Sequence, residues 1–178
     1  VQIIDIEGLA NHRGSLFGHR SGGQPSQKWF EGRLAVALAA LDPTRPVVIE
    51  AESSKIGNCR IPSELWKAMV AAPRAAIAAP RPARAEYLAR AYADLTADPA
   101  RLLQTVGLLQ PLHPREVIEG WQAMAGAGEF TALADGLMER HYDPRYGKHR
   151  ERMAVPMAEI AADRLLPEDL PGIAERVA

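Results

Sequence analysis

The stretch IIDIEGLANHRGSLFG, residues 3–18, decides how this chain is read. Its first residues are apolar and β-branched, the composition of a strand buried on both faces of a parallel sheet. Extended back to Val1, the run predicts a strand over residues 1–7 that ends in Asp5 and Glu7. Alternate residues of a strand share a face, so the two carboxylates are expected side by side at its carboxyl end. Ligand crevices of open α/β sheets lie outside those ends. A glycine-rich polar loop over residues 8–24 follows. There Gly8 and Gly14 allow close backbone approach, while Asn11, His12, Arg13 and Ser15 supply donors. Such a set suits a magnesium-bound phosphate or an RNA backbone. A loop capped by its own side chains would have the same composition.

Working outward, Ser26 is placed to cap a helix over residues 26–41, with Phe30, Leu34, Ala37, Leu38 and Leu41 on one face. Asp42-Pro43 ends it, and the run Pro46-Val47-Val48-Ile49-Glu50 predicts a second buried strand. Two strands joined through a helix make a βαβ unit. This strand also ends in acids: Glu50 and Glu52 would share a face, with Ser53, Lys55 and Gly57 behind them. An apolar strand ending in an acid has the form of the magnesium-positioning strand of nucleotide-binding domains. A strand end merely solvated by glutamates has that form too.

The middle reads as helical. Ser63 is expected to cap a helix carrying Leu65, Trp66, Met69 and Val70. Prolines 80 and 82 break the chain before a helix over 83–95. Asp98-Pro99 and Pro114 place proline at a helix start. Helices are expected over 99–109, 114–124 and 129–139, then a strand over 153–161 and a closing helix over 170–177. The fold class is α/β, with a parallel sheet and a largely helical middle. Three stretches result: 1–60 bearing the candidate site, a helical 61–150, and a closing 151–178.

Bulk properties exclude several classes. With 47% hydrophobic and 24% charged residues, the chain has a globular rather than a disordered composition. No apolar run is long enough for a bilayer, and no leader pattern opens the sequence. A single cysteine, Cys59, excludes an internal disulfide framework and fits the cytoplasm. The net charge of −1 gives no global attraction to nucleic acid, so any such contact must be local. Beginning inside a core strand, without a preceding methionine, Val1 suggests a piece of a longer polypeptide.

Two further segments carry charge or donors. Gly22-Gly23-Gln24-Pro25-Ser26-Gln27 leads into a helix whose first amides suit a phosphate. The run Arg140-His141-Tyr142-Asp143-Pro144-Arg145-Tyr146-Gly147-Lys148 interleaves cations with tyrosines, a mixture suited to phosphate contacts and base stacking. Arg74, Arg81, Arg84 and Arg90 add positive charge around the prolines. There is no GxxxxGK[ST] or GxGxxG motif, no zinc spacing and no nucleophile elbow.

In sequence order, the blocks DIEGLANHRGSLFG, QPSQKWFEGRL, VVIEAESSKIG with IPSELWKAM, and HYDPRYGKH resemble the tRNA 2-selenouridine synthase family. The resemblance covers residues 4–148. It implies a two-part protein, a rhodanese domain with a catalytic cysteine followed by a P-loop-type domain, of which this chain would be the C-terminal portion without its first strand and phosphate loop. It also implies an activity: exchange of the sulfur of wobble 2-thiouridine in tRNA for selenium, through an S-geranylated intermediate. Geranyl diphosphate and selenophosphate would be the substrates, and tRNA the partner. No cofactor would be tightly bound, with magnesium the candidate ion.

Asp5, Glu7, Asn11, His12, Arg13, Gly14 and Ser15 match the family's first block. Gln24, Pro25, Gln27 and Glu31 match its second, and Glu50, Glu52, Ser53, Lys55 and Gly57 its third. These positions are expected to line a diphosphate and tRNA site, with Arg140, His141, Tyr142, Arg145, Tyr146 and Lys148 on the tRNA. Ile6 replaces the leucine usual in the first block, and Cys59 does not match the family's catalytic cysteine. Two other readings fit the residues: an NTP-dependent small-molecule kinase on the same plan, and a non-catalytic RNA-binding module.

Overall fold

The computed structural model describes residues 1–50, 53–150 and 155–177, the side chains of 148–150 excepted. They form two compact units, Val1–Ala72 and Pro73–Val177.

In the first unit, β1 (Gln2–Ile4) and β2 (Val47–Ile49) pair in parallel, with Ile4 opposite Ile49. Between them run α1 (Ile6–Ala10) and α2 (Gln27–Ala39), so the expected βαβ connection is present. The first strand is shorter than its composition predicts. It stops at Ile4 because Asp5 caps a helix, its carboxylate accepting the Gly8 N–H at 2.6 Å. Ile6 and Ala10 then fall on one helical face and are fully buried. Asp5 and Glu7 therefore stand on a cap and a helical turn, not side by side on a strand. Ser26 caps α2 as expected, accepting the Trp29 N–H at 3.3 Å. The helix buries Phe30 and Leu34, one turn apart.

A short hairpin follows, β3 (Lys55–Ile56) and β4 (Cys59–Arg60), turning through Gly57 at φ +58°. After it comes α3 (Ser63–Ala71). Pro62 stands at the cap of α3 and makes no side-chain bond, so Ser63 is the first helical residue rather than the cap. The core of this unit joins Ile4, Ile6, Phe30, Leu34, Ile56, Cys59 and Met69, with Ile49, Leu65 and Trp66 packed against it. Strand ends, hairpin and both long helices thus meet around one apolar centre.

The second unit begins with β5 (Ala75–Ala78), which the sequence did not signal: an AAIA run holds a single β-branched residue. It pairs in parallel with β6 (Ala158–Ala161). Of the strand expected over 153–161, positions 153 and 154 lie outside the described residues, and the ladder covers the last four. Helix α4 (Arg81–Ala91) starts two residues earlier than expected, since Pro82 is tolerated in a first turn. Then come α5 (Ala93–Thr96), α6 (Pro99–Gly107) and a 3₁₀ turn at Gln110–Leu112. Asp98 caps α6 through the Arg101 N–H at 3.0 Å. After α7 (Arg115–Ala127) and α8 (Phe130–Leu137), a π-helical turn over Met138–Tyr142 leads into α9 (Asp143–Arg150). The closing helix is α10 (Leu170–Val177). Helix α4 packs on α8 and α6 on α7. Among the described residues no helix is long and apolar enough to cross a membrane.

Candidate functional site

In the first unit the parallel pair sets the geometry. Ile4 and Ile49 are opposite each other, so Asp5 and Glu50 leave adjacent strands at the same level. Glu50 reaches the start of α1, where its Oε1 accepts the Glu7 N–H at 2.7 Å. Desolvation holds the Glu50 carboxyl above its ordinary range, the Asp5 charge adds to this, and the backbone N–H of Glu7 works against it. Glu7 itself folds over the next loop: a Cβ on Gly14 would lie 2.7 Å from Glu7 Oε1. The expected pairing of Asp5 with Glu7 on one strand face is thus replaced by acids placed around the start of a short helix. Asp5 and Glu50 already accept backbone N–H groups. Among the described residues no three His, Cys, Asp or Glu side chains are arranged to hold a metal ion.

Behind the acids the polar loop closes on itself. Asn11 ends α1 in the left-handed region at φ 48°, where asparagine is tolerated. Its side-chain amide donates to the carbonyls of Ser21 and Gly23, both at 2.9 Å. Arg13 N–H donates to Gly18 at 2.9 Å, and Gly18 N–H returns to Ser15 at 2.9 Å. His12 is buried, bridged in antiparallel fashion to His19, with the two rings edge to face at 4.6 Å. Burial first, then the charges of His19, Arg20 and Arg13, lower the His12 pKa to about 4.

Gln24 and Gln27 serve the hairpin. Gln24 Nε2 donates to the Ala10 and Ile56 carbonyls at 3.2 and 2.9 Å, and its Oε1 accepts the Asn58 N–H at 2.7 Å. Gln27 bonds both ways with the Arg60 backbone at 2.8 Å and donates to Glu31 at 2.7 Å. Ser53 Oγ accepts the Lys55 N–H at 3.1 Å. Gly57 has no room for a side chain, because a Cβ there would strike Gln24 and His12. Glu52 lies outside the described residues. Much of the motif is therefore bracing. The same loop carries Arg13, Ser15, His19 and Arg20. Arg20 and His19 were not singled out from sequence, although HR at 19–20 repeats the HR at 12–13. Cys59, on the hairpin strand β4, is buried in the core, and desolvation pushes its thiol pKa up, which suits an inert core residue.

In the second unit, the basic run lies on the π turn and α9. Arg140 and Arg145 are exposed, while Tyr142 and Tyr146 stack at 6.0 Å and 19°. His141 is buried, its Nδ1 2.9 Å from His113 Nε2. Burial first, with Arg145 and His113 adding, lowers the His141 pKa to about 4. The side chain of Lys148 lies outside the described residues. The cations near the prolines are taken up locally. Arg84 makes a two-pronged pair with Asp143 at 2.8 Å on both oxygens, Arg81 meets Asp135 at 2.8 Å and Glu139 at 3.0 Å, and Arg90 donates to the Leu165 carbonyl.

Comparison with known proteins gives this geometry its context. The family model described as the tRNA 2-selenouridine synthase AAA domain matches residues 1–110. The chain belongs to that family. Every predicted site residue of the first unit falls within the tRNA 2-selenouridine synthase match, and the basic run at 140–148 falls beyond it. A tRNA 2-selenouridine synthase of Pseudomonas syringae pv. syringae (strain B728a) is 31% identical over 192 residues, spanning 90% of this chain and 51% of the relative. One from Hahella chejuensis (strain KCTC 2396) is 34% identical over 167 residues, spanning 90% and 38%. One from Alcanivorax borkumensis (strain ATCC 700651 / DSM 11573 / NCIMB 13689 / SK2) reaches 49% identity over 73 residues, 40% of this chain and 20% of its own. The chain spans about half the length, or less, of these curated relatives. No solved structure matches it.

Proposed function

We propose that this chain is part of a tRNA-modifying transferase that converts wobble 2-thiouridine to 2-selenouridine through S-geranyl-2-thiouridine. Geranyl diphosphate and selenophosphate are its substrates, tRNA is its macromolecular partner, and no cofactor is tightly bound. The observation that carries this reading is the family match over residues 1–110, which contains the whole braced loop. In the first half-reaction the thiocarbonyl sulfur would attack C1 of the geranyl group and diphosphate would leave. A leaving diphosphate needs preorganised donors and positive charge. The 12–20 segment gathers Arg13, His19 and Arg20 around His12. In the second, the selenium of selenophosphate would attack C2 and geranylthiol would leave, and hydrolysis of the Se–P bond would release phosphate. The parent protein would supply the rhodanese domain and the phosphate loop, completing a P-loop-type fold around this part. Arg140, His141, Tyr142, Arg145, Tyr146 and Lys148 remain the candidate tRNA contacts, with Arg140 and Arg145 on the exposed side.

The test is radiolabelled geranyl diphosphate with thiolated tRNA and the full-length parent protein. Label is expected to enter the tRNA and to leave it on addition of selenophosphate. Absence of transfer, together with ATP turnover that does not need RNA, would favour a kinase-like enzyme. Salt-sensitive tRNA binding without transfer would favour a binding module.

A further inference from the structure

Two buried N–H groups of the first unit meet no acceptor: Nε2 of His12 and Nε of Arg20. Buried donors are nearly always paired, so each unanswered one calls for an explanation. The His12 ring defines its own proton. Nδ1 accepts the Gly14 N–H at 3.1 Å, which leaves the proton of the neutral ring on Nε2. The segment around it is positively charged, with Arg13, His19 and Arg20 all acting on the ring. The Glu7 carboxylate lies against Gly14 but meets neither donor. Two shielded donors among like charges, on a loop with Gly14, Gly22 and Gly23 at positive φ, are groups that an anion would satisfy.

We infer that residues 11–23 form a seat for a phosphate-type anion, with the Nε2–H of His12 and the Nε–H of Arg20 as its inner donors. Arg20 thereby joins the site as a binding residue. The neutral His12 ring suits the role, since it donates a hydrogen bond without adding another charge to the cationic cluster. The inference rests on the proposed function only for which phosphate arrives, the diphosphate of an isoprenoid substrate or the backbone of the tRNA. The seat itself follows from the donors.

The experiment is nuclear magnetic resonance of the 178-residue chain, labelled at histidine and arginine nitrogens and titrated with inorganic pyrophosphate. Expected are shifts of the His12 Nε2–H and Arg20 Nε–H signals, and an affinity weakened about tenfold or more by Arg20→Met. Lys67→Gln, which removes an exposed charge paired with Glu64 elsewhere in the unit, should leave affinity within about twofold. Unmoved signals, or Arg20→Met binding like the unaltered chain, would overturn the seat. Arg20→Lys separates geometry from charge: it should remain weaker than the unaltered chain, and equal binding would also count against the seat. Repeating the titration with geranyl diphosphate and with a thiolated anticodon stem-loop identifies the source, and loss of either response in Arg20→Met supports the seat. A full-length protein that transfers no geranyl group while pyrophosphate still moves both signals would refute the proposed function and leave the seat standing.

Discussion

His12 shows how one residue couples the loop to pH. Its folded pKa of about 4 lies below the ordinary 6.5, and His141 in the second unit is displaced as far. Between those values the unfolded chain binds protons that the fold refuses. Stability is therefore complete above pH 6.5, falls as pH drops toward 4, and changes no further through these rings below that. Each ring accounts for roughly 3 kcal/mol at most. Thermal unfolding across this window should show a falling Tm, and a flat profile would contradict the burial of both rings. Gly57 offers a second check. At φ +58° any side chain is strained, and the space is filled by Gln24 and His12. Gly57→Ala should cost about 2–4 kcal/mol, measured by chemical denaturation. Arg13→Ala, by contrast, should lower transfer by the parent protein with little change in Tm. An equal loss of both would make Arg13 a structural residue. At this scale the sequence was only half legible. It marked the right loop, but Gln24 and Gln27 look like ligand-binding amides until the hairpin more than 30 residues away is seen to occupy them.

At the scale of elements, local chemistry was readable where one residue decides. Ser26 and Asp98 announce their helices, and the β-branched runs at both parallel strands announce the βαβ unit. Reading failed where two local patterns overlapped. The run IIDIEGLA satisfies a strand by composition, yet Asp5 with Gly8 three residues later satisfies a helix cap, and burial of Ile6 and Ala10 together decided for the helix. Strand β5 was missed because alanine carries little β signal, and only its partner β6 reveals it. Two predictions belong here. Phe30 is fully buried where α2 meets the core, so Phe30→Ala should cost about 3–5 kcal/mol and loosen the site loop with it. Arg84 joins α4 to the start of α9 through both oxygens of Asp143, but with about a third of each side chain exposed. Solvent screening limits Arg84→Met to about 1 kcal/mol, read from the denaturation midpoint.

For the whole molecule, the braced loop lies within the stretch that matches the tRNA 2-selenouridine synthase family. The family was legible because its blocks keep their order along the chain, and composition alone carried none of it: a net charge of −1 hides a cluster of Arg13, His19 and Arg20 within nine residues of His12. What the sequence left open was which polar residues brace the loop and which face outward, since that depends on contacts between distant segments. The most direct measurement is mass analysis of the wobble nucleoside after thiolated tRNA meets the full-length parent protein, geranyl diphosphate and selenophosphate. S-geranyl-2-thiouridine first and 2-selenouridine after it is the expected order of products, both reduced in Arg13→Ala. Unaltered 2-thiouridine in the presence of both substrates would contradict it.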